Sequence, residues 1–295
     1  MQTLVMVHNP QDIGGWSEQQ RVVRWERVME WHEYAARLHE EGRITHAWGA
    51  HGLTDAEYPS PRQHLLIAVF STADHDEFDA LREVDPLLDV SEYLTVPLVD
   101  LERQYAADKA RVEDLRARVL RLDDPVNARV FAKRRAVTKT TPPDFVGRYP
   151  RLAPANPPTD FTVRNGPDDP LTILLYGVNP ADYVNNWDDM TKLLHGEKVM
   201  WWHDYIAMLR DGDHVTHAWG CSDFTSALAT SAKTGGNVAV YQARHFEEFD
   251  ALYRIDPLRT KNLYVSVALR PIADQRESDR RRLELARRRA VSTFA

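Results

Sequence analysis

The sequence predicts an α+β fold in which two copies of a βαββαβ unit pack sheet to sheet within one chain. Three observations lead to this prediction. Residues Trp31–Gly49 recur as Trp202–Gly220, and both begin W-H-x-Y and end T-H-A-W-G. The same offset of 171 residues relates Phe78–Leu81 to Phe249–Leu252. Strand and helix patterns also follow one another in the same order in each copy. Two long copies indicate a tandem duplication, since a solenoid needs more and shorter units.

The first copy opens with a short apolar run, Thr3–Val7, which predicts a strand. Ser17 with Gln20 three residues later is a capping-box pattern, so a long helix is expected to begin there. Its apolar residues recur at helical spacing up to about Glu41, and Gly42 ends it.

Ile44–Gly49 reads as the second strand, and alternation places Ile44, His46 and Trp48 on one face. The first copy continues with a buried strand, a second amphipathic helix, a fourth strand and a charged closing helix: His64–Phe70, Asp74–Val84, Tyr93–Val99 and Leu101–Leu122. The order of strands and helices is that of a ferredoxin-like unit.

The second copy repeats this order. Its predicted strands are Ile173–Tyr176, His214–Cys221, Asn237–Tyr241 and Leu263–Leu269, and its helices are Asp188–Leu209, Phe246–Ile255 and Asp274–Val291. We therefore divide the chain into a first ferredoxin-like repeat (1–122), a proline-rich connector (123–170) and a second repeat (171–295). Each repeat leaves one sheet face to be buried, and stacking the two faces would form an intramolecular α+β barrel with extra terminal helices outside it.

Composition limits the classes of function. The 295 residues are 43% hydrophobic and 27% charged, as in a globular chain of about two domains. A formal net charge of −7 argues against a nucleic-acid partner, and no apolar run approaches the roughly 20 residues that span a membrane. Cys221 is the only cysteine and no signal-peptide pattern is present, so a cytoplasmic protein without disulfides is expected. No histidine spacing typical of a metal site occurs, so no metal is predicted.

The repeated segments resemble the muconolactone isomerase-like and YCII-like families of the dimeric α+β barrel superfamily. The resemblance rests on G-R-I-T-H-A-W-G and D-E-F-D-A-L-R-E-V-D-P-L in the first copy, and on H-V-T-H-A-W-G and E-E-F-D-A-L-Y-R-I-D-P-L in the second. Family members are usually one unit long and pair as homodimers. The resemblance therefore implies that each half is one family domain, and it leaves further pairing into a homodimer open. The connector and the closing helices are not family features.

Histidines and aspartates are the first set of candidate catalytic residues. His32 and His203 border the apolar stripe of the first helix, where an imidazole could act as a general acid or base. The alternative is a half-buried structural histidine. YCII-like proteins are often proposed to use a histidine with an aspartate, and the resemblance carries these roles to His32 and His203 with Asp85 and Asp256. Each aspartate also precedes a proline, which by itself indicates a turn after a helix.

A second set lies on the second strand of each copy. His46 and His217 share a strand face with Trp48 and Trp219 and are also candidate catalytic residues. They predict either a proton donor beside an aromatic wall or an aromatic core layer. The candidate substrate-binding residues are the aromatic side chains of both motifs: Trp31, Trp48, Trp202, Trp219, Tyr34 and Tyr205.

These residues favour an enzyme acting on a small-molecule substrate. The hypothesis is a cofactor-free isomerase or cyclase that moves a proton within a cyclic or aromatic metabolite by means of a histidine. One alternative is a cofactor-independent monooxygenase of an aromatic substrate, and another is a non-catalytic metabolite-binding module. Because the superfamily also contains haem-dependent enzymes, fold analogy alone does not decide the reaction.

Overall fold

The computed structural model describes residues 1–8, 15–52, 64–120, 125–137, 143–144, 171–178, 187–221, 225–226, 236–260 and 262–292. The strands are β1 (Gln2–His8), β2 (Ile44–Gly52), β3 (His64–Ser71), β4 (Glu92–Val99), β5 (Leu171–Val178), β6 (Val215–Cys221), β7 (Thr225–Ser226), β8 (Gly236–Ala243) and β9 (Leu263–Pro271). The helices are α1 (Glu18–Glu40), α2 (His75–Glu83), α3 (Leu101–Val119), α4 (Pro125–Val137), α5 (Asp189–Asp211), α6 (Phe246–Arg254) and α7 (Ile272–Ser292).

Eight strands pair antiparallel around a closed circuit, β1–β3–β2–β9–β5–β8–β6–β4, with β4 returning to β1. The short strand β7 pairs with β4 outside this circuit. The two halves of the chain meet where β2 pairs with β9 and where β4 pairs with β6. The α+β barrel expected from the sequence is therefore confirmed, and closure leaves none of these eight strands as an unpaired sheet edge.

Strand order is the same in the two halves. The first half is arranged β4–β1–β3–β2 and the second β9–β5–β8–β6, so each places its fourth, first, third and second strand side by side. Each half then ends in a closing helix, α3 in the first and α7 in the second.

The barrel interior is one apolar cluster to which both halves contribute, including Leu4 and Val69 from the first half and Leu174 and Val240 from the second. Separate clusters lie between the sheet and the helices, with α1 and α2 over the first half and α5 and α6 over the second. The alternating pattern of each strand is thus buried on both faces, and burial of apolar area is the main driving force for this arrangement.

The closing helices cross to the opposite half. Helix α3 packs on α5, and α7 packs on α1. The final glycine of each T-H-A-W-G motif permits this close approach: a Cβ at Gly220 would lie 2.4 Å from Gln104 Cγ, and one at Gly49 would lie 2.4 Å from Gln275 Cγ. The repeated glycine is therefore explained by helix-on-strand packing between the halves.

Helix α1 begins and ends as the sequence predicts. The Ser17 side chain accepts from Gln20 N, and the Gln20 side chain accepts from Ser17 N, which completes the capping box. Gly42 follows the helix at φ 71°, where glycine is favoured. At the equivalent place after α5, Asp213 adopts φ 58°.

Two local predictions need correction. Ile44 packs in the helix-facing cluster while His46 and Trp48 face the barrel interior, because a β-bulge between Ile44 and His46 shifts the alternation. The first part of the predicted connector forms α4, whose Phe131 packs with α3 and α5. Residues 138–142 and 145–170, where the proline-rich extension was predicted, lie outside the described residues.

Candidate active site

Two buried histidine–aspartate pairs join the two halves of the chain. His203 Nε2 on α5 lies 3.1 Å from Asp108 Oδ2 on α3, and His32 Nε2 on α1 lies 3.1 Å from Asp279 Oδ2 on α7. All four side chains are almost fully excluded from solvent. Because each aspartate belongs to a closing helix from the opposite half, both pairs exist only when the two halves are assembled.

The aspartates in these pairs are not the predicted ones. Asp85 and Asp256 lie in the turns after α2 and α6, where Oδ1 accepts from the backbone N–H of Leu87 at 2.8 Å and of Leu258 at 2.7 Å. Asp256 Oδ2 also accepts from a tyrosine hydroxyl at 3.0 Å. Burial raises the pKa of Asp256 to about 6 and also raises that of Asp85. These bonds stabilise the Asp-Pro turn, so Asp85 and Asp256 are not the carboxylates bonded to the helix histidines.

A sequence signal for the true partners exists in the closing helices. The pattern Q-x-x-x-D-x-x-R occurs twice at the offset of 171 residues, as Gln104, Asp108 and Arg111 and as Gln275, Asp279 and Arg282. In α3 the carboxylate accepts from Gln104 at 3.1 Å and from Arg111 at 2.7 Å. In α7 it accepts from Gln275 at 2.9 Å and from Arg282 at 3.3 Å. Extending the repeat comparison into the closing helices would have found both aspartates.

The pairing sets the chemistry of each histidine. A carboxylate accepts only, so Nε2 of the neutral ring carries the proton and Nδ1 carries the lone pair. Nδ1 is then the nitrogen that can take a proton, and the aspartate stabilises the imidazolium that forms. Glutamine and arginine hold the aspartate in place from its own helix, as outer partners do for reactive histidines.

The barrel histidines form a different arrangement. The rings of His46 and His217 meet edge to face with centroids 4.8 Å apart, and they stack on Trp48 and Trp219 respectively. Nδ1 of each lies about 3 Å from the hydroxyl of the preceding threonine, at 3.0 Å and 2.9 Å. Burial lowers the pKa of His46 to about 4 and that of His217 to about 3. Both rings are therefore neutral near pH 7, and they form an aromatic layer between the halves.

The predicted aromatic substrate-binding residues are mostly packing residues. Tyr34 donates to the carbonyl of Leu81 at 2.7 Å, and Tyr205 donates to the carbonyl of Leu252 at 2.9 Å, so both tie the first helix of a half to its second. Trp31, Trp48 and Trp219 lie in the apolar clusters, whereas Trp202 also lines a cavity.

An open groove of about 530 Å³ lies between α1 and α7. Its walls are mainly small and apolar and its rim is charged; His32 lies in the lining, with Met29, Ala35, Ala36, His39, Ala47, Ile272, Ala273, Arg276, Glu277 and Arg280. Arg276 contacts Glu33 and Arg280 contacts Glu277 at 2.6 Å, so two guanidinium groups stand at the rim with carboxylates beside them.

The corresponding region of the second half has a larger aliphatic side chain at one of these positions and an aromatic ring at another. Ile206 takes the place of Ala35, and Tyr105 takes the place of Arg276. The Tyr105 ring meets the His203 ring edge to face with centroids 5.2 Å apart. The two histidine–aspartate pairs therefore have the same geometry and are both buried, but different side chains surround them.

The other side of the second helix pair holds a cavity of about 180 Å³. It lies between α3, α5 and the start of β8, and Asp108, His195, Trp202 and Asn237 are among its lining residues. In the first half the positions equivalent to His195 and Gly196 are Arg24 and Trp25, both large.

Comparison with known proteins shows only distant structural likeness. No protein-family model matches the chain, and no curated protein matches it. A heme-binding protein from Thermus thermophilus is 10% identical with a TM-score of 0.42, over 94% of each chain. A chlorite dismutase mutant from Candidatus Nitrospira defluvii has 10% identity and a TM-score of 0.43, also over 94% of each chain. An aldoxime dehydratase has 11% identity and a TM-score of 0.28, over 92% of this chain and 80% of the other. Likeness at this level does not transfer a ligand or a reaction to this chain.

Within the described residues, no group of three or more histidine, cysteine, aspartate or glutamate side chains is arranged to hold a metal ion. In the same part of the chain, no helix combines the length and apolarity needed to cross a bilayer.

Proposed function

We propose that the protein is an enzyme that acts on a small organic molecule bound in the groove between α1 and α7, with His32 as the general acid–base. The observation that supports this most is the position of His32. His32 and its carboxylate partner Asp279 are both almost fully buried, and His32 also contributes to the lining of the groove. A histidine held by an aspartate beside an apolar pocket is the arrangement that proton transfer requires.

The groove suits a small, mainly apolar substrate. Its volume of about 530 Å³ lies within the usual range of roughly 300–1,000 Å³ for small-molecule sites. Alanines at 35, 36, 47 and 273 leave room for a flat ring, and the guanidinium groups of Arg276 and Arg280 at the rim favour a carboxylate or a polarised carbonyl. The expected substrate class is a cyclic or aromatic acid or lactone.

The finer proposal is an isomerisation or cyclisation. His32 Nδ1 takes a proton from carbon, the electron pair moves onto the neighbouring carbonyl, and the imidazolium returns the proton at another carbon. Asp279 stabilises the imidazolium in between. The substrate is neither oxidised nor reduced overall, so this step needs no added oxidant or cofactor. The isomerase assignment draws no support from the structural neighbours, and it rests on the His32–Asp279 geometry and the groove.

We also propose how the chain is organised. It consists of two ferredoxin-like repeats, at 1–122 and 171–295, joined by a connector at 123–170. The protein pairs into a homodimer and is located in the cytoplasm. The shared strand order of the halves supports the repeat assignment. Muconolactone isomerase-like or YCII-like membership rests on the resemblance of the repeated motifs alone.

Deuterium exchange tests the proposal whatever the product of the reaction is. The purified protein is incubated in D₂O with a panel of small cyclic and aromatic acids and lactones, and proton NMR follows loss of carbon-bound hydrogen and appearance of product. We expect exchange by the wild type and a loss of at least about 100-fold in His32→Gln, because general acid–base catalysis contributes about 10²–10⁴-fold. His203→Gln is the matched control in the other half and should retain exchange.

A second pair of variants tests the groove itself. Ala35→Ile with Arg276→Tyr introduces the residues that the second half already has at these positions, so the groove should close and exchange should disappear while the protein stays folded. Exchange that survives both this variant and His32→Gln would rule out the groove as the active site. The metabolite-binding module would be favoured by a compound that binds the wild type and His32→Gln with the same affinity and is not chemically changed by either. Oxygen consumption with a phenol would favour the monooxygenase, and visible absorption by the purified protein would contradict the cofactor-free reaction.

A further inference from the structure

The cavity of the second half is a separate feature from the groove. It has a volume of about 180 Å³ and lies against α3, α5 and β8. A cavity of about 150 Å³ is enough to bind benzene, so this one has room for a single aromatic ring. Its lining residues include Arg111, Trp187, Gly196, Trp202, Asn237 and Asn262.

The first half shows what fills the equivalent space. Trp25 occupies the position of Gly196. The guanidinium of Arg282 lies over the Trp25 ring at 5.3 Å from its centroid, and that of Arg24 lies at 5.6 Å. Arg24 is 3% exposed, and its burial lowers its pKa to about 10. The first half therefore fills this space with an indole stacked beneath guanidinium groups.

The second half has an arginine at the position of Arg282 but no aromatic ring at the position of Trp25. Arg111 takes the place of Arg282 and likewise contacts the aspartate of its helix, at 2.7 Å. Gly196 has no side chain to fill the space, although Val112 comes close enough that a Cβ at Gly196 would lie 2.6 Å from Val112 Cγ2. The remaining space is bounded by Arg111 and by the indoles of Trp187 and Trp202.

Two carboxamide side chains also line this cavity. Asn237 and Asn262 stand where the first half has Leu66 and Ser91. Asn262 is 8% exposed, and one end of its carboxamide meets the carboxamide of Asn237 at 3.2 Å. Its other end has no hydrogen-bond partner among the described residues. A buried amide end left unpaired is costly, and a ligand group that hydrogen-bonds to it would remove that cost.

We propose that this cavity binds a small single-ring aromatic molecule carrying a hydroxyl or a comparable donor–acceptor group. The ring stacks on Arg111 as Trp25 stacks beneath Arg282, and the indoles of Trp187 and Trp202 form its walls. The hydroxyl pairs with the outer end of Asn262. This site is independent of the groove in the first half, so its test does not depend on the proposed reaction.

Phenol and toluene are the matched probes, since phenol has a hydroxyl where toluene has a methyl group of similar size. Titration of the full-length protein, followed by ligand-observed NMR, should give one saturable phenol site with at least about tenfold tighter binding than toluene. Asn262→Ser introduces the residue of the first half and should weaken phenol about tenfold while leaving toluene unchanged. No saturable phenol binding, or equal binding of the two probes, would overturn the proposal.

A filling variant tests the place of the ring. Gly196→Trp combined with Val112→Ala should reproduce the packing around Trp25 and abolish the binding of both probes, whereas Val112→Ala alone should keep it. Conversely, Trp25→Ala should add a second ring-binding site and raise the stoichiometry from one to two. Phenol binding that is unaffected by the filling variant, or a stoichiometry that stays at one in Trp25→Ala, would show that the ligand does not take the place of the Trp25 ring.

Discussion

The two halves build the same histidine–aspartate pair but leave opposite sides of it open. In the first half the groove beside His32 is open because Ala35 and Arg276 leave its floor clear, while Arg24 and Trp25 occupy the other side. In the second half a tyrosine ring packs on His203, and the cavity on the other side is open.

The two halves agree in the groups that join them and differ in the side chains around those groups. The pair, the closing helix and the motif glycine are kept in both halves because they join one half to the other. The side chains around the pair differ between the halves, and in a close-packed interior their volumes decide which side of the helix pair is filled. Among the described residues, the groove is therefore open only beside the first pair, and the cavity is open only beside the second.

Breaking the pairs should give the largest effect and should separate the halves. Asp279→Ala removes the acceptor of His32, Gln275 and Arg282, and it also removes the carboxylate whose charge favours the buried Arg24 guanidinium. We expect a loss of about 3 kcal/mol in the free energy of unfolding. Asp108→Ala should cost less, because the second half has no buried arginine at the position of Arg24. Urea denaturation measures both, and equal losses would contradict a role for Arg24.

The motif glycines should respond alike in the two halves. Gly49→Ala and Gly220→Ala each place a Cβ 2.4 Å from a glutamine of the closing helix, so the helix must shift. A loss of about 2 kcal/mol is expected for each, which is typical of overpacking. Gly15→Ala is the control, since a Cβ there meets no atom within 4 Å. Thermal unfolding of the three variants compares them directly. If Gly220→Ala is as stable as the wild type, the contact between Gly220 and α3 is loosely packed.

Stability should fall in acid because of the barrel histidines. The pKa of His46 is about 4 and that of His217 about 3 in the folded protein, both below the usual 6.5. Below pH 6.5 the unfolded chain binds protons that the folded chain does not, so each histidine should cost about 2 kcal/mol between pH 7 and pH 5.

Asp256 opposes this trend, because its raised pKa of about 6 makes the folded state bind a proton as the pH falls. The histidine contribution is therefore isolated by comparing variants. The slope of unfolding free energy against pH should be lower in His46→Gln and His217→Gln than in the wild type. A slope that changes in one variant only would mean that the two halves contribute unequally to the ring pair.

The smallest expected effect concerns the ends of α1 and α5. Asp213 holds φ 58° where the first half has Gly42 at φ 71°. Glycine adopts this conformation without a side-chain penalty, so Asp213→Gly should stabilise the protein by about 0.5 kcal/mol. Gly42→Asp should do the reverse. Chemical denaturation can resolve the sign, and destabilisation by Asp213→Gly would point to a role for the Asp213 side chain.

Much of the architecture could be predicted from the sequence because it depends on local patterns. The capping box at Ser17, the glycine after α1 and the alternation of the strands act over a few residues each. The bulge that turns Ile44 outward could not be predicted, since it depends on pairing between β2 and β3. The sequence placed His32 and His203 on the first helix of each half, as the structure has them, but the carboxylates bonded to them belong to Asp279 and Asp108 and not to Asp85 and Asp256. The catalytic role of these residues stays a prediction.

The sequence by itself determined the order of strands and helices and the residues that recur in both halves at one offset, because these are properties of the chain and of short-range periodicity. Only the tertiary structure decided which carboxylate meets which histidine. His32 and Asp279 are 247 residues apart and meet because each closing helix crosses to the opposite half. Tertiary packing also decided which side of each pair is open, since that depends on the volumes of side chains that come together only when the barrel closes.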